Sequence, residues 1–177
     1  SLLNKIMQNK EESEKSLDRI LVAQLEIIFD EDQIYRGQIV EVEKKYGSDS
    51  KEMEDLGKLI SEKDSINLVK VKEILDKRGW LGADVIGEKG NLTLFLVIQH
   101  ADIETQEKYL PMMREAVKKG NAEANSLAFL EDRVALEKGN RQIYGSQIGI
   151  DEETGEFYVL PLIDPNNVDK RRAEVGL

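Results

Sequence analysis

His100 is the only histidine in the chain, and an imidazole is the side chain best matched to proton transfer near neutral pH. It follows an apolar segment and is flanked by Gln99 and Asp102. A catalytic histidine needs a carboxylate or carbonyl to orient it. Asp32, Asp102 and Asp132 are the candidates. Asp32 stands in step with an apolar helical stripe, four residues after Ile28 and three before Tyr35. A carboxylate there is costly unless it is paired or hydrogen-bonded. Arg36, four residues on, has the spacing of a helical ion pair. Asp32, Gln33 and Arg36 could therefore line the floor of a polar pocket, or they could form a buried structural pair.

Further polar residues fall on apolar elements. Asp132 and Arg133 sit within a helical run, and Arg133 shares a face with Phe129 and Leu130. Adjacent opposite charges point to different sides of a helix, so these two must pair elsewhere. Gln142, Tyr144 and Ser146 would share one face if they lie on a strand, with Gln147 beside them. Amide and phenol groups can read a polar ligand or satisfy the backbone of a neighbouring helix. Arg172, with Arg171, is a candidate anchor for an anionic group.

Other chemistries are absent. The chain has no cysteine, which excludes disulfides, thiolate metal sites and cysteine nucleophiles. With one histidine and no cysteine, neither a metal site nor a cofactor is expected. A carboxylate-bound Mg²⁺ or Ca²⁺ stays open, although no EF-hand loop is present. The sequence around Ser146 is not a nucleophile elbow, and the glycines from Gly82 to Gly90 lack the spacing of a phosphate-binding loop. A formal net charge of −10 opposes binding to phosphate backbones, so nucleic acid is not an expected partner. No apolar run is long enough to span a bilayer. These features read as a soluble protein, with a cytoplasmic location favoured. The chain begins at Ser1, so export after removal of a leader is the alternative.

The elements that must position these residues are mostly helices. The 177 residues, 40% apolar and 34% charged, read as one domain with a packed core and solvated outer faces. Leu17, Leu21, Leu25 and Ile28, then Tyr35, Ile39, Val42 and Tyr46, form an amphipathic stripe. It is one helix, or two broken near Asp30 to Asp32. This N-terminal arm, about residues 1–46, could support a homodimer, because Leu2, Leu3, Ile6 and Met7 extend its apolar content. A second helix fits Lys51 to Ser61. A third fits Ile66 to Lys77, with Asp64 or Ser65 as N-cap and Gly79 at its end. The pair Gly79-Trp80, with Trp80 as a core anchor, is followed by a loop holding Gly82, Gly87 and Gly90. Residues Asn91 to Ala101 could be strand or helix, and helix is favoured. Asp102 reads as the N-cap of a helix reaching Lys119, which Pro111 should break or kink. Another helix fits Ala122 to Glu137. The only β signal is a pair of runs, Gln142 to Ile150 and Phe157 to Ile163, with a turn over Asp151 to Glu156. A short C-terminal helix follows Pro165. The fold class is mainly α, within α+β: a helical domain with one β-hairpin near the C-terminus, its motif-bearing core spanning about residues 64–177.

Taken in order, these markers resemble a bacterial family described only as a domain of unknown function. They are Asp32-Gln33 with Arg36, Asn67, Gly79-Trp80, Gln99-His100-Ala101-Asp102, and Leu130 with Asp132-Arg133-Val134. Gln142 with Tyr144-Gly145-Ser146-Gln147 follows, then Val168-Asp169 with Arg171-Arg172 and Gly176-Leu177. Leu81 stands where the family often has proline, and Ser146 where it often has threonine. The resemblance implies no activity. Three readings stay open. In the first, His100 is an acid–base residue acting on, or helping to bind, a small polar or anionic ligand. In the second, the chain is a non-catalytic module that recognises a peptide, a small ligand or another protein. In the third, the markers form a structural polar network.

Overall fold

The structure is a computed structural model that describes residues 2–8, 17–151 and 153–177. The parts of the expected N-terminal arm at residue 1 and residues 9–16, and position 152 of the expected turn, lie outside the described residues. The chain forms two compact units, residues 1–100 and 101–177. As expected from the sequence, the protein is mainly helical with one antiparallel hairpin near the C-terminus. Among the described residues, no helix is long and apolar enough to cross a membrane.

Among the described residues, the elements of the first unit are all helices. After α1 (residues 2–8) come α2 (Arg19–Arg36), α3 (Ile39–Tyr46), α4 (Lys51–Arg78) and α5 (Ala83–Gln99). Asp18 caps α2 by accepting the Leu21 N–H at 3.1 Å. The inward face of α2 is Leu21, Leu25, Ile28 and Asp32, a helical repeat whose last member is charged. The amphipathic stripe does not break near Asp32. It breaks after Arg36, at Gly37 and Gln38, because Asp32 finds partners that leave its helix intact.

Two more expectations give way to the structure. The two helices expected across residues 51–77 are one, α4, and it is capped by Ser50, whose Oγ accepts the Met53 N–H. Asp64 and Ser65, read as an N-cap, lie inside it. Ser65 Oγ donates to the Ser61 carbonyl at 2.9 Å, a bond that a helix interior accommodates, and Asp64 faces an arginine of α2. The glycine-bearing loop after Trp80 is also helix from Ala83 on, with Gly82 as its N-cap. Its one departure is Gly87, with φ 72°, where α5 is kinked. The ambiguous segment beginning at Asn91 is helical as far as Gln99.

The core of this unit lies where α2 packs against α5 and α4. Leu25, Ile28, Val71, Leu75, Ile86, Leu94 and Ile98 are buried, and Trp80 is nearly so. Gly90 permits the approach, since a Cβ there would stand 3.1 Å from Leu25 Cδ1 and 3.2 Å from Ile86 Cβ.

The second unit contains α6 (Ile103–Lys118), α7 (Ala124–Glu137), β1 (Ile148–Ile150), β2 (Phe157–Val159), a 3₁₀ turn (Pro165–Asn167) and α8 (Val168–Val175). Asp102 caps α6, as read from the sequence, by accepting the Thr105 N–H at 2.8 Å. Pro111 does not break α6, which continues to Lys118. Tyr109, Leu110, Met113 and Ala116 of α6 meet Ala128, Leu130 and Val134 of α7 to make the core. The hairpin is shorter than expected, three residues per strand, with Ile148 opposite Val159, Gly149 opposite Tyr158 and Ile150 opposite Phe157. Residues 142–147 are not strand, so Gln142, Tyr144 and Ser146 share no strand face. The Gln142 N–H donates to the Pro161 carbonyl at 2.9 Å, whereas the Tyr144 and Ser146 N–H groups go to a side chain, as described below.

Gly87, at φ 72° and ψ 164°, holds a conformation nearly confined to glycine, in which a Cβ costs about 1–3 kcal/mol. Gly87→Ala is therefore expected to lower the unfolding free energy by about 1 kcal/mol in urea denaturation. An unchanged midpoint would mean that the kink is not required.

Candidate functional site

In the first unit the polar markers converge on Asp32. This carboxylate is only 1% exposed and accepts three side-chain donors. Gln33 Nε2 lies 2.7 Å from Oδ2, and Arg36 Nη1 and His100 Nδ1 lie 3.2 and 3.0 Å from Oδ1. The i,i+4 spacing places Arg36 beside Asp32 on α2, and the turn ending α5 brings in His100. Arg36 also donates to the Asp32 carbonyl and grips Asp64 of α4 with both terminal nitrogens, at 2.8 and 2.6 Å. Such two-point guanidinium–carboxylate pairs fix geometry as well as charge. The result is a chain of contacts, Asp64–Arg36–Asp32–His100, that ties α4, α2 and the end of α5 together.

The electrostatics follow from this packing. Burial by itself would raise the Asp32 carboxyl. That effect is the largest single one, but the His100 hydrogen bond and charge, the Arg36 charge and the Gln33 amide together outweigh it and hold the group below its usual value. Asp32 is thus an acceptor, and Nδ1 of His100 is the donor in their contact. The His100 side chain remains 20% exposed, so the carboxylate is buried while the imidazole reaches the surface.

Asp64 went unrecognised as a site residue in the sequence because it reads as a cap for a helix that does not start there. Its one signal is Asn67, a helical turn later, which is fully buried and whose Nδ2 reaches the Ile28 carbonyl at 3.5 Å. The Oδ1 of Asn67 is buried with no hydrogen-bond partner among the described residues. Asp32, Asp64 and His100 also offer ligand atoms within 4.8 Å of one another, close enough for one ion. The Arg36 guanidinium already lies on both carboxylates and meets the charge that a cation would meet. Gln99, the last residue of α5, is half-buried.

In the second unit the markers gather around Asp132, which is completely buried on α7. Its carboxylate accepts the backbone N–H groups of Ile143 at 2.6 Å, Tyr144 at 3.0 Å and Ser146 at 2.9 Å. Gln142, also fully buried, donates from Nε2 to the carbonyls of Gln147 and Leu160 and accepts the Gln147 N–H, each at 2.9 Å. Arg172 donates to the Tyr144 carbonyl and Arg171 to the Ile143 carbonyl, both at 2.9 Å. These side chains supplement backbone bonds in the same segment, from the Gln142 N–H to the Pro161 carbonyl and from the Ile163 N–H to the Gln142 carbonyl, each at 2.9 Å. Tyr144 is half-buried. Its phenol is pushed up by burial, then by Glu131, Asp132 and Glu174, against a smaller opposing effect of Arg171, so it stays protonated. Gln147 Nε2 donates to Ser146 Oγ at 3.1 Å. Arg133 is half-buried, and its Nε has no partner among the described residues. Asp102 has its capping role on α6.

The second unit also contains a cavity of about 340 Å³ between α6 and α7. Leu110, Pro111, Val134, Ala135 and Ile143 line it, with an Arg114–Glu131 ion pair at 2.8 Å and a Lys138–Glu107 pair among its charged residues.

Fold and site together define a mainly helical α+β protein with two buried, fully partnered carboxylates. The chain belongs to a family of unknown function, DUF6624, whose model matches residues 19–177. No curated protein and no solved structure matches it.

A depressed carboxyl contributes stability that is complete above the unfolded value, about pH 3.9 for aspartate, and is lost as pH falls through the folded value. Because the Asp32 carboxyl is lowered, wild type should be more stable than Asp32→Asn near pH 7, with the difference shrinking as pH drops below about 4. Urea denaturation of both proteins across this range checks it. A difference that is flat with pH would contradict the assignment.

Proposed function

We propose that the first unit carries an acid–base centre in which Asp32 orients His100 to exchange a proton with a small polar or anionic ligand. The observation that carries this reading is the 3.0 Å contact between His100 Nδ1 and Asp32 Oδ1, with the carboxylate buried and the imidazole partly exposed. With Nδ1–H donated to an ionised carboxylate, the lone pair of the neutral ring lies on Nε2. That atom can take a proton from a bound hydroxyl, water or carbon acid. The imidazolium that forms is stabilised by Asp32 and can return the proton to a leaving group. Hydrolysis or an elimination are reactions of this kind. Asp64 and Arg36 act as positioning residues that hold Asp32. Since Arg36 is committed to two carboxylates, recognition of an anionic group falls to other donors.

The third of the open readings has its own support in the second unit. Asp132, Gln142, Arg171 and Arg172 spend their polar atoms on backbone groups. In that unit the markers serve the fold, and the acid–base reading rests on the first unit alone.

The test is the tautomer of the single histidine, read from its ring ¹⁵N shifts. Neutral His100 is expected to carry its proton on Nδ1 in wild type and to shift toward Nε2–H in Asp32→Asn. The ring signals should also move when a mixture of small polar and anionic metabolites is added. A wild-type ring in the Nε2–H form, or signals that ignore every compound, would remove the basis for the proposal.

A further inference from the structure

The hairpin of the second unit has a surface that its buried network does not explain. With Ile148 opposite Val159 and Ile150 opposite Phe157, these four side chains project from one face, since alternate residues of a strand point the same way. All four are more than half exposed, from 55% for Val159 to 69% for Phe157. On the opposite face Tyr158 lies across Gly149, where an added Cβ would meet its ring at 2.5 Å. A lone two-stranded hairpin is marginal in water. This one is held at its base by Asp132, Gln142, Arg171 and Arg172, so it is a firmly mounted apolar platform. Among the described residues the sheet has only these two strands, and every residue of β2 is exposed. An exposed strand edge of this kind invites pairing with another chain.

Charge indicates what would pair there. Residues 148–159 contain four acidic residues and no Lys, Arg or His. Asp151, Glu153 and Glu156 are exposed at the tip. The Asp151 carboxyl accepts the N–H groups of Thr154 at 2.8 Å and Glu153 at 2.9 Å, which keeps it ionised. An apolar face with an acidic rim repels anionic lipid and nucleic acid. Two copies of the hairpin would bring like charges together.

We infer that the hairpin is a docking surface for an extended segment of a partner protein, apolar at alternate positions and flanked by Lys or Arg, which adds as a strand along β2. Backbone hydrogen bonds would supply affinity, the apolar face register, and the acidic tip selectivity.

The experiment titrates ¹⁵N-labelled protein with a short synthetic peptide of alternating Val and Thr bearing Lys at both ends, and with the same peptide bearing Glu instead. The Lys peptide should shift amides over residues 148–150 and 157–159. Its affinity should fall by about tenfold or more in Phe157→Lys and when Glu replaces Lys. Phe157 is exposed, so the variant should keep its fold, checked by circular dichroism, and Ile150→Lys serves as a second variant. Three results would overturn the inference: no shifts in the hairpin, equal binding of both peptides, or hairpin shifts that depend on protein concentration alone, which would mark self-association.

Discussion

A carboxylate taken out of water must be met by charge or by donors, and the first unit is organised around how Asp32 meets that requirement. Its own helix supplies Gln33 and Arg36, and the end of α5 supplies His100. Arg36 would carry excess charge into the same region, and Asp64 on α4 balances it. Each partner comes with a helix attached, so satisfying one buried charge sets how α2, α4 and α5 pack. Removing one member of such a buried set leaves the others uncompensated, so single substitutions there cost more stability than the intact set contributes.

The second unit solves the same problem differently. Asp132 is buried as deeply, yet three backbone N–H groups satisfy it. Backbone amides are not acid–base groups near neutral pH, and these bonds fix the path of residues 143–146 before the hairpin. The contrast separates two roles that look alike in sequence. A carboxylate bonded to backbone shapes a loop. A carboxylate bonded to an imidazole sets the tautomer of a titratable ring, and in this chain that ring reaches the surface.

The features legible in the sequence were local ones. The helical stripe through Leu21, Leu25 and Ile28, the Asp32–Arg36 spacing, the Asp102 cap and the hairpin's place near the C-terminus all depend on neighbours within a few residues. The misreadings have the same physical root. Asp64 resembles a cap because Asp favours helix starts, but its carboxylate is drawn to Arg36, 28 residues away. Gly87 resembles a loop because glycine usually marks one, whereas packing of Ile86 and Gly90 against Leu25 keeps helix on both sides. The strand-like run from Gln142 is diverted by Asp132, whose donors lie 11 to 14 residues along the chain. The choice of Asp32 among three candidate partners for His100 bridges 68 residues, and no periodic pattern encodes it.

The central claim is that Asp32 and His100 act as a coupled pair. A double-mutant cycle on unfolding free energy tests it most directly, using Asp32→Asn, His100→Ala and the double variant at neutral pH. Contacting residues in one network couple by roughly 0.5–3 kcal/mol, and about 1 kcal/mol or more is the result this account predicts. Strictly additive effects would mean that the two side chains do not sense each other, and the acid–base centre would lose its foundation.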